Sequence, residues 1–116
     1  MRHLNKKKIL DRLKAPRKAL VRGLLRNFFL RKKITTTLAK AKAIKPELEK
    51  CITRARQDNL VNRRYLLKKF NDPKVVDLLC KEIGPKYINF KGGYTRLLKL
   101  APRKGDSAKI AKIELL

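Results

Sequence analysis

The sequence predicts an α+β domain of about four helices packed on a small three-stranded sheet, mixed or antiparallel, behind a basic extended N-terminal arm. Three observations point there. Apolar residues recur at helical spacing through most of residues 16–84, the β-branched run Ile34-Thr35-Thr36-Thr37 interrupts them, and two imperfectly alternating runs follow Gly92-Gly93. A length of 116 residues supplies one core rather than two, so the chain divides into an arm over 1–14 and a single domain over 15–116.

The arm has Leu4, Ile9, Leu10 and Leu13 among basic and polar residues, too little apolar surface to offset the entropy of ordering without a partner. From Pro16, which suits a first helical turn, Leu20, Leu24 and Phe28 recur every four residues with Val21, Leu25 and Phe29 beside them. Lys18, Arg22 and Arg26 repeat at the same spacing on another side. Like charges so placed repel, and phosphates along the stripe would relieve them; a merely solvated face is the bland alternative.

Ile34–Thr37 reads as a strand, with a Thr placed to cap the next helix. Leu38, Ala41, Ile44, Leu48, Ile52 and Ala55 then form one stripe to about residue 57 that keeps its register past Pro46, as in one kinked helix. Shorter helices are expected from Leu60 and Val75. Asp72-Pro73 caps and starts the last, and Gly84-Pro85 is expected to stop it. Tyr94–Leu100 and Lys109–Leu115 read as strands joined by a basic hairpin loop over Ala101–Ala108.

Charge narrows the function. Lys plus Arg number 33 against 9 Asp plus Glu, a formal net charge of +24, which calls for a polyanionic partner. No apolar run exceeds three residues, far below the roughly 18 that span a bilayer, so no membrane role is expected. The basic start lacks a following apolar segment, which argues against a secretory signal and for a cytoplasmic location.

Catalysis finds no support. His3 lies in the arm without partners, Cys51 and Cys80 lack metal-ligand spacing and suit buried positions, and no phosphate-binding glycine loop follows a strand. No metal, cofactor or small-molecule substrate is expected. The acids from Glu47 to Glu82 read as solvated helix faces, with Asp77 and Lys81 as an i,i+4 pair.

RNA contacts are expected from Arg2, His3, Lys6, Lys7, Lys8, Arg12 and Lys14 of the arm and from Arg17, Lys18, Arg22 and Arg26 of the first helix. Lys40, Lys42, Arg96, Lys99, Arg103 and Lys104 extend the basic surface. Tyr94, beside the glycine doublet and Arg96, is a candidate for stacking on a nucleotide, with a packing role of equal weight.

The runs Ile34-Thr35-Thr36-Thr37-Leu38-Ala39-Lys40-Ala41-Lys42 and Gly92-Gly93-Tyr94-Thr95-Arg96-Leu97-Leu98-Lys99-Leu100, together with Gly105-Asp106 through Ile113-Glu114-Leu115, carry a likeness. With the opening Met1-Arg2-His3 and Arg17-Lys18-Ala19-Leu20, the chain resembles the family of the seventeenth protein of the bacterial large ribosomal subunit over almost its whole length. The resemblance implies a non-catalytic α+β protein that binds large-subunit ribosomal RNA near the polypeptide exit region, beside other large-subunit proteins. It also implies that the arm and first helix carry many RNA contacts. Family members usually have a histidine where this chain has Pro16, so that side chain's contact is replaced or missing. A nucleoid protein binding duplex DNA is the alternative, and an RNA-processing enzyme joining His3 to a distant acid is a remote third.

Overall fold

The computed structural model describes Leu10 and residues 13–116 of the chain. Its elements are α1 (Lys14–Arg31), β1 (Lys33–Thr37), α2 (Leu38–Ala55), α3 (Leu60–Phe70), α4 (Pro73–Leu78), α5 (Gly84–Lys86), β2 (Thr95–Leu100) and β3 (Ile110–Leu115). A π-helical turn over Leu79–Ile83 joins α4 to α5.

α2 is the element around which the others gather. It packs against α1, α3, α5 and all three strands, because its stripe of Ala41, Ile44, Leu48, Cys51, Ile52 and Ala55 is wholly buried. The helix runs unbroken through Pro46. That proline sits on the exposed side, where the carbonyl it deprives of a partner can reach water.

α1 meets the core unevenly. Leu25, Phe28 and Phe29 are buried, whereas Leu20, Val21 and Leu24 are only half-buried, so the expected apolar stripe is fully covered in the second half alone. Phe29 stands edge-on to Phe28 at 5.4 Å and to Phe70 at 5.7 Å between ring centres, which locks α1 to α3. Lys32 ends α1 in the left-handed region at φ 63°, its N–H donating to the Phe28 carbonyl, and the chain turns at once into β1.

Thr37 does occupy the N-cap position of α2, but its side chain makes no capping bond. The Leu38 N–H donates instead to the carbonyl of Lys109 at 2.9 Å, so the neighbouring chain satisfies a donor of the helix start. Asn59 and Asp72 do cap: Asn59 accepts from the Asn62 N–H at 2.9 Å and Asp72 from the Lys74 N–H at 3.0 Å.

Gly84-Pro85 does not stop the last helix. The path continues through the π-helical turn, where the Gly84 N–H donates to the Leu79 carbonyl five residues back, into the short α5. Gly84 serves a close approach: a Cβ there would lie 2.2 Å from the Ala55 carbonyl oxygen at the end of α2. Seen from sequence alone, such a glycine is indistinguishable from a helix terminator.

The sheet has the order β1-β3-β2 and is antiparallel throughout. Ile34, Ile113 and Leu97 form one cross-strand row toward the helices, while Lys33, Glu114 and Arg96 form a row on the open face. The 101–108 segment is the expected hairpin loop, closed by the Arg103 N–H on the Ala108 carbonyl at 2.9 Å.

Candidate nucleic-acid interface

With cations in such excess, the few carboxylates decide which basic side chains stay available, and each described one is engaged within the fold. Asp72 takes Arg26 at 2.8 Å, Asp77 takes Arg63 at 3.0 Å, Asp106 takes Arg103 at 2.6 Å and Glu82 takes Lys32 at 3.8 Å. Asp58 also binds Arg63, Glu47 binds Lys69, and Glu114 binds Arg96 and Lys112. Glu49 accepts from the backbone N–H groups of Tyr94 and Thr95 and from the Thr95 hydroxyl. The acids are therefore paired, while Asp58, Asp77 and Glu82 remain on the solvated surface as expected; Asp77 pairs with Arg63 on α3, not with Lys81 one turn away. The Arg26 guanidinium holds the Asp72 carboxyl below its usual range, and Arg96 does the same for Glu114.

A groove between α1 and α2 gathers several of the basic side chains. Arg17, Lys18 and Arg22 come from α1, Lys42 from α2 and Lys69 from α3, around a space of about 610 Å³. Val21, Leu25, Ala43 and Pro46 form its apolar lining, and Glu47 is the single acid. Arg17, Lys18, Arg22 and Lys42 make no ion pair with a described carboxylate. Like charges gathered in this way repel one another and are relieved by an anion.

The structure thus brings together four of the expected binding residues, Arg17, Lys18, Arg22 and Lys42. Lys14, Lys40, Lys99 and Lys104 do not line this groove. Arg26, Arg96 and Arg103 already hold carboxylates. Arg2, His3, Lys6, Lys7, Lys8 and Arg12 lie outside the described residues.

Tyr94 is a correction. It is 1% exposed, edge-on to Tyr87 at 5.6 Å, and its hydroxyl meets Thr53 at 3.1 Å and the Arg56 guanidinium at 2.6 Å. A buried ring offers no face to a nucleotide, so packing takes the position. Cys51 and Cys80 are buried free thiols, as expected, and burial pushes the Cys51 thiol up to about 12.

Sequence reasoning passed over a second cationic row. Lys42, Pro46, Lys50 and Arg54 follow one another at four-residue intervals on α2, all exposed, so the groove has a basic rim on each helix. The four-residue spacing of this row is legible in the sequence.

Among the described residues no cluster of three metal-ligating side chains occurs, and no described helix is long and apolar enough to cross a membrane. A family model described as Ribosomal protein L17 matches residues 20–116. The large ribosomal subunit protein bL17 of Petrotoga mobilis is 45% identical over 124 aligned positions, covering the whole of this chain and 97% of the relative. Its counterpart in Halothermothrix orenii is 48% identical over 102 positions, covering 88% of this chain and 90% of the relative. That in Carboxydothermus hydrogenoformans is 46% identical over 107 positions, covering 92% and 96%. With a fold of the expected class and relatives matched nearly end to end, the chain belongs to the ribosomal protein L17 family.

Proposed function

We propose that this chain binds large-subunit ribosomal RNA through the groove between α1 and α2, aided by the basic residues of 1–14, near the polypeptide exit region and beside other large-subunit proteins. Family membership makes it a structural constituent of the large ribosomal subunit in the cytoplasm, not an enzyme. The observation that carries the RNA reading is the allocation of charge. Each described carboxylate is engaged inside the fold, while Arg17, Lys18, Arg22 and Lys42 line one groove without such a partner. Cations so held neutralise phosphates and release counterions, which gives an affinity that falls steeply with salt.

Sedimenting a lysate tests the reading, with the purified protein titrated against large-subunit RNA and against duplex DNA in parallel. Co-migration with the large subunit through moderate salt washing, and preference for the folded RNA, are expected. Equal affinity for both polymers without co-migration would favour the nucleoid alternative.

A further inference from the structure

We infer that the groove leads to a stacking platform, the Arg54 guanidinium laid over the Tyr65 ring, which takes one unpaired RNA base. The inference rests on the RNA-binding reading of the groove and adds what kind of RNA reaches it.

Arg54 is exposed, yet it is held in place. Its Cζ lies 4.5 Å from the centre of the Tyr65 ring, and Nη1 donates to Asn62 Oδ1 at 3.4 Å. Asn62 is itself only 7% exposed and is pinned, its side-chain amide donating to the Gln57 carbonyl at 2.8 Å and its backbone N–H to Asn59 Oδ1 at 2.9 Å. Pinning a long side chain costs rotamer freedom. Here no described carboxylate accompanies the guanidinium and the side chain is exposed, so its charge stays available to a ligand. A planar cation backed by an aromatic ring suits a base above and a phosphate beside it.

The platform continues the groove. Lys69, which lines the groove, places Nζ 6.0 Å from the centre of the same Tyr65 ring, four residues along α3. On α2 the exposed row from Lys42 through Lys50 reaches Arg54. The apolar lining of Val21, Ala43 and Pro46 offers the flat faces of bases a surface that phosphate recognition alone would not use. A cationic track with an apolar floor and a π-face is how proteins hold unpaired strands, and a duplex keeps its bases out of reach of such a surface.

The test uses the full chain and a nine-nucleotide single-stranded RNA with one central 2-aminopurine between uridines, compared with the same sequence as a duplex. The single strand should bind more tightly, with a change in 2-aminopurine fluorescence on binding. Arg54→Gln and Tyr65→Leu should each lose that change and weaken single-strand binding roughly ten-fold. Tyr65→Phe should restore both, which separates stacking from misfolding. Lys42→Gln should weaken strand and duplex alike. If Arg54→Gln and Tyr65→Leu leave fluorescence and affinity unaltered while Lys42→Gln still weakens binding, the platform is wrong and the groove stands. If neither RNA binds, both readings fall. A polyglutamate peptide that binds as tightly as the strand, and loses the same factor in Arg54→Gln, would overturn the base and assign the platform to an acidic protein segment.

Discussion

Glu49 on α2 holds Thr95 at the start of β2 twice over, accepting from its hydroxyl at 2.7 Å and its backbone N–H at 3.3 Å, while the Tyr94 N–H adds a third bond at 3.1 Å. Gly92 and Gly93, at φ 129° and 64°, lie in the left-handed half of backbone space just before it, so the chain can turn both donors toward one carboxylate. Replacing Glu49 by Gln removes the charge and one acceptor oxygen from three half-buried donors. A loss of roughly 1–3 kcal/mol is expected. Urea unfolding measures it, and an unshifted midpoint would show that water replaces the carboxylate without cost.

Gly84→Ala forces a methyl against the Ala55 carbonyl, where two backbones meet and neither is a flexible side-chain end. Overpacking of this kind costs about 1–3 kcal/mol or more, so the thermal midpoint should drop by several degrees. A stable Gly84→Ala protein would mean that α2 and α5 separate easily.

The groove and the paired arginines predict opposite behaviour toward salt. Arg22→Gln with Lys42→Gln should reduce the slope of log affinity for RNA against log salt by roughly one unit per lost phosphate contact. Arg26→Gln should leave the slope nearly unchanged, because that guanidinium already serves Asp72, and should instead loosen the start of α4. Equal slopes for the two proteins would place the phosphate track elsewhere.

The Cys51 thiol, buried and pushed up to about 12, is protonated at neutral pH. Cys80 is raised in the same direction, again mainly by burial. Neither should react with a disulfide reagent at an appreciable rate until the protein unfolds, when both should label promptly. Fast labelling of the native chain would reveal opening of the α2 core on the timescale of the assay.

Asp106 closes the hairpin loop by accepting from Arg103 and from the Ala108 N–H at 3.1 Å. The Arg103 guanidinium first, and the Ala108 amide second, hold its carboxyl down to about 2. Since the folded value lies below the ordinary one, the contribution is present above the ordinary carboxylate range and is lost as pH falls through about 2. A carboxyl titration by NMR should find that low midpoint, with the Ala108 amide resonance moving in the same window. Titration near 4 would mean that the loop is open in solution.

Composition already contains the large excess of positive charge, and local periodicity the helices, the three strands and most of the core. The stripe from Leu38 to Ala55 is an example, because 3.6-residue geometry turns sequence spacing directly into a buried face. Tertiary structure alone separated Arg22 from Arg26, which look alike along the chain: Asp72, 46 positions from Arg26, neutralises one and leaves the other in the groove. It also sent Tyr94 inward onto Arg56 and Thr53 and left Tyr65 under Arg54. Helical periodicity depends on near neighbours and is written in order, whereas the pairing of a charge or the burial of one ring depends on groups that only folding brings within a few ångströms.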